Sequence, residues 1–119
     1  MKYRRFEDLP VWKDAIELAV RTFALTARPC FRGHSGTRNQ LENAVVSISN
    51  NIAEGFERGT TQELLTFIYI SRGSAGETRS MYCLIERLPE FHGRKHLAAI
   101  ARLGRLSAEH RHQRPSLSH

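Results

Sequence analysis

The sequence lacks the features that define several classes of protein. Its 119 residues contain no apolar run long enough to cross a bilayer, and no signal-type apolar block follows Met1. The only two cysteines, Cys30 and Cys83, form neither a Cys-x-x-Cys motif nor a disulfide framework. We therefore expect a cytoplasmic protein with free thiols and one modest core, rather than a membrane protein or a disulfide-stabilised secreted domain.

Motifs that carry catalytic or metal chemistry are also scarce. Segment 41–56 contains no nucleophile–base pair, phosphate loop or metal-binding box. Cys83 lies within an apolar stripe, and no histidine has neighbours typical of a general base. Glu109 and His112 have the Glu-x-x-His spacing of carboxylate di-metal bundles, but such sites need a second pair and two more inward-facing glutamates. We therefore predict no catalytic residue, no metal site and no cofactor.

Strand periodicity is absent as well, and helical periodicity takes its place. No stretch alternates apolar and polar residues over strand length, whereas four segments repeat apolar residues at the period of a helix. These segments run from about Pro10 to Ala27, Thr37 to Phe56, Thr60 to Leu88 and Leu97 to Glu109. Their short links predict an all-α, up-down-up-down four-helix bundle over residues 1–110, followed by a disordered basic and histidine-rich tail at 111–119.

Local signals predict where these helices begin and end. Asp8 is expected to cap the first helix. Thr37 and Thr60 each precede a glutamine or glutamate by three residues, which is the spacing of a capping box. Gly55 is expected to end the second helix in the left-handed conformation.

Small residues are concentrated on two of the predicted helices. Segment 41–56 carries serines and asparagines beside its apolar stripe, and the third segment contains Gly73 and Gly76. A glycine inside a helix costs about 1 kcal/mol relative to alanine, so its missing side chain must serve another purpose. We expect another helix to approach closely at both glycines. Together, the two small-residue faces offer more surface for close helix packing than one protomer can use. The sequence therefore predicts a homo-oligomer.

Positive charge is concentrated towards the C-terminus. Residues 94–119 hold six arginines or lysines and one glutamate, and so contribute +5 of the formal net charge of +6. This asymmetry favours an anionic partner, nucleic acid first, although a solvated basic tail that aids solubility gives the same pattern. The candidate phosphate-contacting residues are Arg94, Lys95, Arg102 and Arg105. They would neutralise phosphates rather than read bases, which predicts low sequence specificity and steep salt dependence.

Several blocks of the sequence resemble one bacterial family. They are Phe6-Glu-Asp-Leu with Val11-Trp12, Ala44-Val-Val-Ser-Ile48, Asn51-Ile-Ala-Glu-Gly55, and Phe67-Ile-Tyr-Ile-Ser-Arg-Gly-Ser74 with Glu77. The blocks resemble the four helix bundle protein family, which includes proteins encoded in intervening sequences of 23S ribosomal RNA genes. That family is similar to the accessory protein of diversity-generating retroelements.

The resemblance, which extends over residues 4–88, implies a four-helix protomer in a ring-like homopentamer without enzymatic activity. In the retroelement branch it also implies a basic surface that binds nucleic acid and the reverse transcriptase. Two departures alter these expectations. The family usually has basic residues where Glu42 and Asn43 stand, so positive charge is missing from that part of the second helix. It usually has a proline where Ser49 stands, and without that ring the helix is expected to run straighter.

Four polar residues lie in the matching blocks: Asn51, Glu54, Arg72 and Glu77. A polar network that fixes helix register or a subunit contact needs such donors and acceptors, and we favour this interpretation over a binding pocket built from the same groups. Trp12 and Tyr82 stand at helical spacing, so we expect core aromatics rather than platforms for stacked bases.

Two classes of function stay open. The favoured one is a non-catalytic, homo-oligomeric adaptor, a pentamer by resemblance, that binds RNA or DNA through its basic surface. The alternative is a protein-interaction module, for example a reverse-transcriptase accessory subunit, whose basic end meets an acidic protein surface.

Overall fold

Four α-helices make up most of the structure, a computed structural model that describes residues 3–91 and 94–112, with side chains at 3–91 and 97–108. The helices are α1 (Pro10–Thr26), α2 (Ser35–Glu57), α3 (Thr61–Arg87) and α4 (Arg94–His112). Short 3-10 turns at Phe6–Asp8, Pro29–Phe31 and Pro89–Phe91 precede α1, α2 and α4. No strand occurs in the described ranges. Of the predicted tail, residues 113–119 lie outside them.

The helices pack in the order in which the chain presents them. Each contacts its neighbour in the sequence, and α4 closes the bundle by contacting α1 as well as α3. Because the links are short, neighbouring helices run antiparallel and α1 and α3 occupy opposite corners. The molecule is accordingly elongated, with principal extents of 46 × 21 × 19 Å. The predicted all-α, up-down-up-down bundle is confirmed.

The core contains the apolar stripes that the sequence predicts. Its largest fully buried side chains include Leu18, Leu25, Leu41, Ile48, Ile52, Leu64, Tyr82, Ile85, Phe91 and Ile100. Tyr82 is confirmed as a core aromatic, whereas Trp12 is half-buried and packs edge-on against Phe6 with ring centroids 5.2 Å apart. Phe31 and Phe91 lie in two 3-10 turns and pack at 4.7 Å, so the α1–α2 and α3–α4 links close the same end of the bundle.

Two of the three predicted N-terminal caps are wrong. Leu9, not Asp8, caps α1, because Asp8 is part of a 3-10 turn and the Leu9 carbonyl accepts the first amides of the helix. α2 begins at Ser35 with His34 as its cap, so Thr37 lies inside the helix. The third cap is confirmed: the amide of Glu63 donates to the Thr60 hydroxyl at 3.1 Å.

Gly55 has a different role from the predicted one. It lies within α2, and the left-handed glycine after the helix is Gly59, with φ of +90°. A Cβ atom at position 55 would lie 2.5 Å from the Cβ of Phe67, so α2 and α3 meet where Gly55 has no side chain. At Gly73 and Gly76 an added Cβ meets no neighbouring atom within 4 Å, so the predicted close approach at these glycines is wrong within the protomer.

Serine hydroxyls line the rest of the seam between α2 and α3. The Ser71 hydroxyl donates to the Ile48 carbonyl at 2.9 Å, and the Ser47 and Ser74 hydroxyls are hydrogen-bonded at 2.8 Å. These short side chains reach across the seam only because the helices are close. The small-residue face of α2 is therefore used inside the protomer.

A buried hydrogen bond links Tyr82 on α3 to Thr22 on α1 across the core, with 2.5 Å between the two oxygens. Tyr82 is 1% exposed and Thr22 is fully buried. Burial raises the pKa of Tyr82, and the bond to Thr22 offsets only part of this shift. The phenol is thus held neutral in the folded state.

This raised pKa predicts an alkaline loss of stability. An unfolded tyrosine ionises near pH 10, so the folded state keeps its full stability below about pH 10 and loses it as the pH rises further. Tyr82→Phe should flatten this decline between about pH 10 and 12, because it removes the group that must stay neutral. At neutral pH it should cost about 1–3 kcal/mol, because the Thr22 hydroxyl loses its partner. Thermal unfolding across this pH range measures both effects. Tyr69→Phe, at an exposed position, is the control, and equal alkaline slopes for the two variants would contradict the prediction.

Candidate nucleic-acid interface

The buried side of α4 determines which of its arginines face solvent. Ile100, Leu103 and Ser107 are buried at helical spacing. Arg102 and Arg105 lie between these positions and are exposed. Of the other two predicted phosphate contacts, Arg94 begins α4 and Lys95 follows it, and both side chains lie outside the described ones. All four residues therefore belong to α4.

Arg102 lies at a groove between α4 and α1, which we call the α1–α4 groove. Its volume is about 270 Å³, and two further arginines, Arg21 and Arg28, line it from the α1 side. The rest of the lining is apolar: Ala24, Leu25, Ala99 and Leu103. Arg21 also forms an exposed ion pair with Glu17 on its own helix, at 3.0 Å. Three guanidinium groups thus surround one groove.

Arg105 lies at a second groove of similar size, about 260 Å³, between α4 and α3. Arg79 on α3 adds a second positive charge to this α3–α4 groove, but Glu86 contributes a carboxylate. The formal charge of the described lining is therefore two positive minus one negative, or +1, against +3 in the α1–α4 groove. The two sides of α4 are electrostatically different.

The sequence predicted the arginines of α4 but missed those on the neighbouring helices. Arg79 stands between two glutamates, whereas Arg21 and Arg28 lie in a stretch, residues 18–41, that holds four arginines and no carboxylate and could have drawn attention to them. Only the packing of α4 against α1 and α3 brings them beside Arg102 and Arg105.

The four residues of the predicted polar network lie at separate places. Asn51 donates to the carbonyl and the hydroxyl of Ser47, at 2.7 and 2.9 Å. Glu54 instead pairs with Arg58 on the solvent side of α2, at 2.9 Å. This hydrogen bond with Glu54 raises the pKa of Arg58.

The two members on α3, Arg72 and Glu77, are exposed, and within the described part of the chain neither is hydrogen-bonded to Asn51 or Glu54. The structure thus does not bring the four together. The polar contacts between α2 and α3 are instead the Ser47–Ser74 pair, with Asn51 behind Ser47, and the bond from Ser71 to the Ile48 carbonyl.

Glu42, one of the departures from the family pattern, has a structural contact. Its carboxylate accepts from the Thr26 hydroxyl at 2.5 Å and from Arg38 at 3.0 Å. Thr26 is the last residue of α1, so the bond ties the end of α1 to α2. The same ion pair neutralises Arg38, which leaves less positive charge on this part of α2.

Large apolar side chains remain exposed in groups on α1 and α3, and Leu97 on α4 is exposed as well. Ile16, Val20 and Phe23 follow one another along an outer face of α1, and Tyr69, Ile70 and Leu84 lie on outer positions of α3. Val20 is 60% exposed and Tyr69 is 59% exposed. Because α1 and α3 occupy opposite corners, the two apolar faces lie on opposite sides of the protomer.

Neither cysteine has the environment of a nucleophile. Both are half-buried, unpaired thiols. Burial raises the pKa of Cys30, against the weaker opposing effects of a backbone hydrogen bond and of Arg28, so its thiol stays protonated at neutral pH.

The described residues form no group of three or more metal-ligating side chains. The Glu109 and His112 side chains lie outside that set. Within the described ranges, none of the helices is long and apolar enough to cross a membrane.

Comparison with known protein families gives a match that spans most of the bundle. Residues 7–108 match the model of a family described as 23S rRNA-intervening sequence protein. The matched range begins in the turn before α1 and ends in the last part of α4, so it includes Arg102, Arg105 and both grooves. No curated protein matches the chain.

Proposed function

This chain belongs to the 23S rRNA-intervening sequence protein family, and on that premise we propose that it is a non-catalytic, homo-oligomeric protein that binds nucleic acid through α4. The supporting observation is that arginines from three helices gather along α4. Arg102 lies with Arg21 and Arg28, and Arg105 lies with Arg79. Guanidinium groups suit this role because their fork of donors matches the oxygens of a phosphate. Binding through them is sequence-tolerant, since phosphates carry no base identity.

The exposed apolar faces support the oligomeric part of the proposal. Faces that differ in composition and lie on opposite sides of a protomer favour a head-to-tail contact, in which α1 of one copy meets α3 of the next. A head-to-tail contact generates a ring when its rotation closes. The pentamer implied by the family resemblance is one such ring. A ring repeats the basic surface of α4, so weak binding by each protomer is reinforced by avidity.

A salt titration tests the nucleic-acid part of the proposal. Changing Arg94, Lys95, Arg102 and Arg105 together to glutamine should abolish binding to RNA and DNA while leaving fold and assembly intact. The wild-type affinity should fall steeply with salt. In a plot of the logarithm of the binding constant against the logarithm of the salt concentration, each phosphate contact should add about 0.7–0.9 to the negative slope. The matched control removes four exposed arginines outside α4: Arg4, Arg5, Arg32 and Arg72.

The alternative function is a protein-interaction module, for example an accessory subunit of a reverse transcriptase. The exposed Tyr69, Ile70 and Leu84 favour it, because such side chains suit a protein surface better than a phosphate backbone. Equal affinity of the wild type and the α4 variant, or an affinity that does not change with salt, would move the conclusion to this alternative.

A further inference from the structure

Resting on the proposed function, we propose that the α1–α4 groove holds the backbone of a single nucleic-acid strand, with Arg21, Arg28 and Arg102 as its phosphate ligands. Two of these three arginines come from the α1 side and lie far from α4 in the sequence. The proposal therefore places part of the nucleic-acid site outside the basic C-terminal segment.

Charge distinguishes this groove from the one on the other side of α4. The described lining of the α1–α4 groove contains three arginines and no carboxylate. In the α3–α4 groove, Glu86 stands beside Arg79 and Arg105 and would repel a phosphate. A strand that passes along α4 is therefore held better on the α1 side.

The spacing of the arginines fits an extended backbone. Arg21 lies five residues before the end of α1 at Thr26, about 8 Å along the helix axis, and Arg28 follows two residues beyond that end. Arg102 lines the groove from the opposite wall. The three groups can therefore contact the phosphates on either side of one nucleotide rather than compete for a single phosphate.

The apolar lining favours a single strand over a duplex. The volume of about 270 Å³ is near the lower limit for small-molecule pockets, which is enough for roughly one nucleotide. Ala24 and Ala99 have short side chains, which leaves room for a ribose or an unpaired base between the helices. An unpaired base can also stack on a guanidinium plane, whereas a paired base is not available for this contact.

Arg21 and Arg102 are available to a phosphate without a large cost. The ion pair between Arg21 and Glu17 is exposed on both sides, and such pairs contribute about 0–1 kcal/mol. Arg28 is half-buried, lines the groove and has an interaction within the protein. Arg102 is exposed.

The test compares two double variants in a salt titration with a short, labelled, single-stranded RNA. Arg21→Gln with Arg28→Gln removes the α1 side of the groove. The matched control, Arg5→Gln with Arg72→Gln, removes the same charge from two exposed positions that line neither groove, and Arg5 resembles Arg21 in forming an exposed ion pair. The groove variant should reduce the salt slope by about 1.4, or 0.7 for each lost contact on a single strand, and should lower the low-salt affinity about tenfold. The control should change the affinity less than about twofold, as expected for charges that do not contact the strand.

A third variant guards against loss of structure. Ala24→Glu, at an exposed position in the same groove, adds a carboxylate among the three arginines and should also weaken RNA binding. Circular dichroism should show an unchanged helix content in all three variants.

The remaining outcomes separate this site from the general proposal. Equal losses in the two double variants would overturn the groove but keep nucleic-acid binding through overall charge. A duplex that depends on Arg21 and Arg28 as strongly as the single strand would overturn the preference for one strand. Displacement of the RNA by polyglutamate as readily as by polyuridylate would assign the groove to an acidic protein. A wild type that binds no RNA at low salt would overturn both this site and the proposed function.

Discussion

Replacing Gly55 by alanine should lower the free energy of unfolding by about 1–3 kcal/mol, although alanine is the better helix former. The added Cβ would lie 2.5 Å from the Cβ of Phe67 and 3.3 Å from the Cα of Leu64. These two atoms cannot move by a change of side-chain rotamer, because a Cα and a Cβ are fixed by the backbone of α3. The Phe67 ring also contacts Arg58, whose guanidinium lies 4.9 Å from the ring centre. The clash can therefore be relieved only by moving α3 away from α2, which opens the serine-lined seam between them.

Gly73 provides the matched control for this prediction. A Cβ added at position 73 meets no neighbouring atom within 4 Å, so Gly73→Ala should gain up to about 1 kcal/mol of helix propensity. Urea unfolding of the two variants beside the wild type measures the difference directly. Stabilisation by Gly55→Ala would contradict the close contact with Phe67, and destabilisation by Gly73→Ala would show that a second subunit packs there.

The second large effect concerns assembly. Val20→Glu on α1 or Ile70→Glu on α3 should each break the proposed ring, because each places a charge in one of the two exposed apolar faces. In a head-to-tail contact, each variant retains one intact face. An equimolar mixture should therefore form a heterodimer in which α1 of the Ile70→Glu protein meets α3 of the Val20→Glu protein.

Light scattering distinguishes these species by mass. Each variant alone should have the protomer mass of 13.6 kDa, and the mixture should have twice that mass. Asn50→Glu, at an exposed polar position on α2, is the control and should keep the wild-type mass. If each variant remains oligomeric on its own, the subunit contact lies elsewhere. If the wild type has the protomer mass at micromolar concentration, the protein is a monomer and the oligomeric part of the proposal is wrong.

The sequence alone was sufficient to predict the helical architecture of this protein. Helical periodicity and the short links predicted four antiparallel helices, because an apolar stripe that recurs every three or four residues has to be buried against other helices. Local chemistry also predicted the cap at Thr60, since the groups that form it are three residues apart. The family resemblance could likewise be seen in the sequence, because the blocks that carry it are short and continuous.

The roles of individual glycines and arginines were decided only by the tertiary structure. Gly55, Gly73 and Gly76 all interrupt helical patterns, and only the position of Phe67 shows that α2 and α3 need the first of them. The charge pattern predicted Arg102 but not Arg21 or Arg28, which lie some seventy to eighty residues earlier in the sequence. Such sites depend on distances between helices, and the sequence periodicity of one helix contains no information about which residue of another helix will lie opposite.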